Sequence, residues 1–249
     1  MRRRVATARV VAHAAIPVVF ALLASLAWAD EPPVHDSPIH SLILMDQLEY
    51  SFNEKGANTL RFNAFGWIGG DYNRLWVNTE GTRADNSSPE DTDVQVLYGR
   101  LIAPFWDLQA GVRYFHPKAN APSRGSAVFG IQGLAPYWFE VQAAGFVSHR
   151  GEVSGRLELE YELLLTQRLI LQPRIETNIA IQDVKELGIG HGVNDLDLGL
   201  RLRYEIEREF APYVGLVWTS KFDETAAFAR SQREVVRSLG FIVGIRMWF

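Results

Sequence analysis

The chain of 249 residues contains no cysteine. That excludes disulfides, thiolate metal sites and cysteine nucleophiles. Past residue 29 it has no apolar run of about 20 residues, the length a membrane-spanning helix needs, and its mean hydropathy is −0.05. It carries no excess of positive charge: 25 Lys and Arg against 29 Asp and Glu give a net charge of −4. A nucleic-acid partner is therefore not expected. No Gly-x-Ser-x-Gly elbow, Walker loop or His-Glu-x-x-His motif occurs, and no enzymatic activity is expected. Ser148-His149 is the only adjacent Ser–His pair, but neighbours on a strand face opposite ways, so a polar loop tip is the simpler reading.

Residues 1–29 have the form of a secretory signal. Arg2, Arg3 and Arg4 form a basic head, an apolar stretch runs from Ile16 to Leu26, and Ala27-Trp28-Ala29 is a small-x-small cleavage pattern. Cleavage before Asp30 removes four Arg and no acid, leaving 220 residues with a net charge of −8.

The rest of the chain alternates. In 156–163, Leu157, Leu159, Tyr161 and Leu163 are interleaved with Arg156, Glu158, Glu160 and Glu162; in 195–205 leucines alternate with Asp, Gly and Arg. Successive strand side chains point to opposite faces, so these are strands with one apolar and one strongly polar face. Twelve such segments are predicted: 42–52, 59–69, 72–81, 92–102, 106–115, 126–134, 137–147, 152–163, 167–181, 194–206, 210–221 and 239–249. Each is close to the 9–11 residues a tilted strand needs to cross a bilayer. Pro173 interrupts its segment and demands a bulge or local break.

Connections alternate in length. Short turns at Gly70-Asp71, Ala103-Pro104-Phe105, Ala135-Pro136, Leu164-Leu165-Thr166 and Arg208-Glu209 alternate with longer loops at 53–58, 82–91, 116–125, 148–151, 182–193 and 222–238. Aromatics Trp106, Tyr137, Trp138, Phe139 and Phe210 lie beside the short turns. This is the pattern of an antiparallel transmembrane β-barrel of about 12 strands in a bacterial outer membrane. A soluble sandwich or lipocalin-like barrel alternates similarly, with the apolar face inward. The signal, the loop asymmetry and the terminal strand ending in Phe249 favour the membrane version. That ending resembles the signal by which outer-membrane barrels are recognised by their assembly machinery. Residues 42–249 are thus assigned to a barrel in contact with outer-membrane lipid, and 30–41 to a short periplasmic leader.

An apolar face toward lipid leaves the charges inside. Two readings of that lumen stay open. One is an ion-pair network that plugs the barrel; the other is a cation path guided by Glu49, Glu158, Glu160 and Glu162. The start of the mature chain offers His35, His40 and Met45 among carboxylates and three prolines. Imidazole suits copper and zinc, and thioether selects Cu(I), so this is a reasonable copper ligand set without cysteine; on spacing alone, a solvated linker with incidental His is the simpler reading.

Several runs resemble the copper resistance protein B family of outer-membrane barrels. They include Ala64-Phe-Gly-Trp-Ile-Gly-Gly-Asp71, Ile102-Ala-Pro-Phe-Trp-Asp-Leu-Gln-Ala-Gly-Val-Arg113 and Gly130-Ile-Gln-Gly-Leu-Ala-Pro-Tyr-Trp-Phe-Glu140. Tyr161-Glu-Leu-Leu-Leu-Thr-Gln-Arg-Leu-Ile-Leu-Gln-Pro-Arg174 and Gly199-Leu-Arg-Leu-Arg-Tyr-Glu205 match as well. The resemblance covers nearly the whole mature chain. It implies binding of Cu(I) or Cu(II), copper homeostasis at the outer membrane, and a periplasmic copper protein as a possible partner. Members of that family often carry a longer Met- and His-rich leader; here 30–41 holds His35 and His40 and no Met. His116 and His191 fall in predicted extracellular loops, as capture residues or as ordinary loop residues. The alternative to a copper-binding barrel is a general pore or a plugged structural barrel without specific metal binding.

Overall fold

A computed structural model describes residues 38–85, 91–117 and 121–249. The proposed signal, most of the leader and His35 lie outside the described residues. Twelve antiparallel strands follow one another around a closed barrel. They are β1 (His40–Asn53), β2 (Thr59–Gly69), β3 (Asn73–Ala84), β4 (Asp91–Ala103), β5 (Trp106–His116) and β6 (Arg124–Ala135). The second half is β7 (Phe139–Ser148), β8 (Val153–Tyr161), β9 (Leu169–Ala180), β10 (Gly192–Tyr204), β11 (Phe210–Lys221) and β12 (Arg237–Trp248). β12 pairs back onto β1, with Tyr50 opposite Val243 and Leu44 opposite Trp248, so no sheet edge is left open. Among the described residues, no helix is long and apolar enough to cross a membrane.

The alternation resolves with the greasy side chains outward. On β5, Val112 is 62% exposed while Gln109 is 3% exposed; on β10, Leu200 is 45% exposed while Arg203 is 1% exposed. A water-soluble sandwich would reverse this, so the soluble alternative is excluded by the burial pattern. The β4–β5 and β6–β7 turns place Phe105, Tyr137 and Trp138 at positive φ, a backbone region that costs a non-glycine residue energy. All three rings are exposed, as befits anchors at a lipid–water interface.

Pro173 is accommodated by a local break. Toward β10 it keeps register, opposite Leu200. Toward β8 the ladder stops at Arg174–Glu160 and resumes at Leu171–Leu163, so the missing N–H faces the gap around Glu162. A real bulge lies elsewhere: β1 slips register between Met45 and Gln47 against β2, and over the same stretch against β12. Asp46, the extra residue, lines the lumen, and Gln47 beside it is buried there too.

Part of the lumen wall is apolar. Trp76, Leu97, Val128 and Phe146 form a buried cluster, with Phe65 and Trp67 packed against it. Gly99 makes this possible, since a Cβ there would sit 2.7 Å from Trp76 Nε1. The loop 222–236 contains a short helix, α1 (Asp223–Ser231), which buries Thr225, Ala226 and Ala229; the Gly190 N–H donates to Thr225 Oγ1 at 2.9 Å.

Candidate functional site

The charged lumen face of the outward-greasy strands is held by ion pairs. Arg201 donates to Glu49 at 3.0 and 3.1 Å, and the Tyr213 hydroxyl donates to the same carboxylate at 3.1 Å. Arg174 bridges Glu158 at 2.8 Å and Glu176 at 3.2 Å, and Arg203 reaches Glu162 at 2.7 Å. Two pairs join walls far apart in strand order. Arg61 on β2 meets Asp197 on β10 at 3.3 Å, and Arg156 on β8 bonds Glu80 on β3, five strands away. They tie opposite sides of the barrel together across its axis.

Below this belt a cavity of about 670 Å³ reaches the short-turn end, where Pro104 and Phe105 belong to its wall. An even strand count puts both ends of the barrel chain at that end, which in outer-membrane barrels faces the periplasm. The lining carries seven carboxylates against three guanidiniums. Five of the seven are matched: Asp107 by Arg74, Glu80 by Arg156, Asp46 by Arg246, Asp93 by Arg113 and Glu158 by Arg174. The remaining two, Glu140 and Glu160, form no salt bridge among the described residues and are cross-strand partners, directly opposite each other on β7 and β8. Like charges so placed repel. Glu160 keeps one neutral donor, Gln172 Nε2.

The sequence-predicted site residues scatter across this geometry. His40 opens β1, exposed at the turn end and opposite Gly69. Met45 follows Leu44, which lines the cavity, and pairs with Met247 of β12; strand alternation puts its side chain on the outer face. β1 therefore does not bring His40 and Met45 together. Glu49 is buried in the belt, Glu158 and Glu160 line the cavity, and Glu162 lies at its edge between Arg203 and Arg246. Among the described residues, no group of three or more His, Asp or Glu is arranged to hold a metal ion. The sequence did not single out Glu140: its meaning lies in the β7–β8 register, which alternation alone does not set.

The loop end has its own ionic clamp. Arg124, 3% exposed, binds Glu152 at 2.7 Å and Glu186 at 2.9 Å, and Arg150 binds Glu186 at 2.7 Å. The Arg124 guanidinium holds the Glu152 and Glu186 carboxyls below their ordinary range. His191 contacts Asp183 at 2.9 Å, which raises the imidazole and lowers the carboxyl. Ser148 and His149 turn to different partners: Ser148 Oγ donates to Glu152 at 2.8 Å and His149 Nδ1 lies 3.2 Å from the Gly125 carbonyl. His116 Nδ1 is 2.9 Å from Ser123 Oγ.

A closed twelve-stranded barrel, greasy outside and ionic inside, defines an outer-membrane β-barrel protein. Solved structures agree on the fold. The NanC porin superposes with a TM-score of 0.55 at 10% identity, over 83% of this chain and 98% of that one. The KdgM porin gives 0.51 at 12% identity, over 84% and 98%. Residues 39–249 match the family described as Copper resistance protein B precursor (CopB), and the chain belongs to that family. Copper resistance protein B of Escherichia coli is 45% identical over 217 residues, 87% of this chain and 72% of the relative. The Copper resistance protein B homolog of Pseudomonas syringae pv. tomato is 42% identical over 216 residues, with the same coverage.

Proposed function

We propose that this outer-membrane barrel contributes to copper resistance by binding copper at its periplasmic mouth rather than by conducting it. The observation that carries the reading is the acidic cavity reaching the turn end beneath a belt of cross-lumen ion pairs. His40, the first residue of β1, and His35, five residues before it in the sequence, supply imidazole for capture. Glu158 and Glu160 offer weaker oxygen donors within. Imidazole binds metal only when neutral, so capture weakens below about pH 6. A periplasmic copper carrier would exchange ions at this end.

Family membership and the nature of the donors support this reading. Titration of the detergent-folded protein with Cu(I) and Cu(II) tests it. Replacing His35 and His40 together by Ala should remove the tighter class of site. Unchanged stoichiometry and affinity, together with wild-type copper protection in cells, would point instead to a general pore or a structural barrel.

A further inference from the structure

The cavity is built for more than an inorganic ion. Part of its wall is apolar, from Leu44, Phe65, Leu101 and Val141. A hydrated ion gains nothing from such a surface, whereas a carbon chain does. Its volume, about 670 Å³, falls in the range of small-molecule sites. Its unmet polar groups sit at two separated points. At the turn end, Glu140 and Glu160 oppose each other, and neither joins a salt bridge among the described residues. At the far end, Asp93 is 2% exposed, and its Oδ1 has no hydrogen-bond donor although Oδ2 is held by Arg113. Asp93 is third from the loop end of β4, and Glu140 is second from the turn end of β7. Both points offer carboxylate oxygens that accept hydrogen bonds.

We propose that this cavity binds an aliphatic diamine or polyamine from the periplasmic side. One ammonium group lies between Glu140 and Glu160 and relieves their repulsion. The methylene chain crosses the apolar wall, and a second ammonium group donates to Asp93 Oδ1. Porins related only by fold do not bear on this ligand; the charge balance of this lining does.

The test uses the full-length, detergent-folded protein and isothermal titration with putrescine and spermidine. Butylamine, which has one ammonium group, and Mg²⁺ are the comparison ligands. Both polyvalent amines should bind, with butylamine weaker by about tenfold, the loss of roughly one charged hydrogen bond. Glu140→Gln combined with Glu160→Gln should weaken spermidine by about tenfold or more. Among the described residues those two carboxylates join no salt bridge, so the variant should keep the heat-modifiable gel shift of a folded barrel. Equal binding of Mg²⁺, butylamine and spermidine would reduce the cavity to an unspecific charge well and overturn the proposal. So would no binding, or a folded double variant with unchanged affinity.

Discussion

Arg201 on β10 and Glu49 on β1 are each 3% exposed and meet through three contacts of 3.0–3.2 Å, with the Tyr213 hydroxyl closing the set. A buried charge that loses its partner is left without solvent or counter-ion. Glu49→Gln should therefore destabilise the barrel by about 3–5 kcal/mol. Replacing both residues by leucine should cost far less, because no lone charge remains. Urea unfolding in detergent, followed by tryptophan fluorescence, measures both.

The Arg156–Glu80 contact joins walls five strands apart, directly above the cavity. Arg156→Ala removes the guanidinium that also lies 3.6 Å from Glu176. Conductance in planar bilayers should rise above that of the wild type and favour cations, since the freed groups are carboxylates. A variant no more conductive than the parent would show that other contacts close the lumen.

The loop end should be tightest in a window of mildly acid pH. Glu152 and Glu186 are lowered by Arg124, so their contribution is complete above the ordinary glutamate value of about 4.3 and is lost as pH falls through their folded values. His191 is raised by Asp183, so its contribution is complete below about 6.5 and is lost as pH rises through its folded value. Amide protection factors in residues 181–191, corrected for the intrinsic pH dependence of exchange, should be highest between about pH 4.5 and 6.5. A flat profile over pH 4–8 would contradict the clamp.

Gly99 leaves the space that the Trp76 indole fills. Gly99→Ala places a methyl group against Nε1 and pushes the ring into Phe65 and Trp67, 6.1 and 6.0 Å away between centroids. Overpacking of this kind costs about 1–3 kcal/mol. The midpoint of thermal unfolding should fall and the tryptophan emission should shift. An unchanged midpoint would mean the ring relaxes freely.

Much of the fold was legible because a barrel strand must alternate and its length must match a bilayer. The 59–69 and 210–221 segments coincide with β2 and β11, and most other ends differ by one or two residues. The helix α1 lies in what reads as a plain loop. It spans nine residues and has no side-chain N-cap, although Asp223 and Glu224 at its start and Arg230 near its end suit its dipole. The candidate site was legible only in its ingredients. Lumen charges follow from alternation, but which carboxylates find guanidinium partners depends on register and on contacts across the barrel. Arg61 and Asp197 are 136 residues apart in the chain, and no local pattern announces their meeting.

The bend at Pro104 and Phe105 forms part of the chamber's doorway, on the side where the barrel chain both begins and ends. A guest that enters there has already passed the outer envelope by another route. On the reading proposed above, the chamber is a custodian's post on the inner doorstep, for retaining or handing on what has arrived.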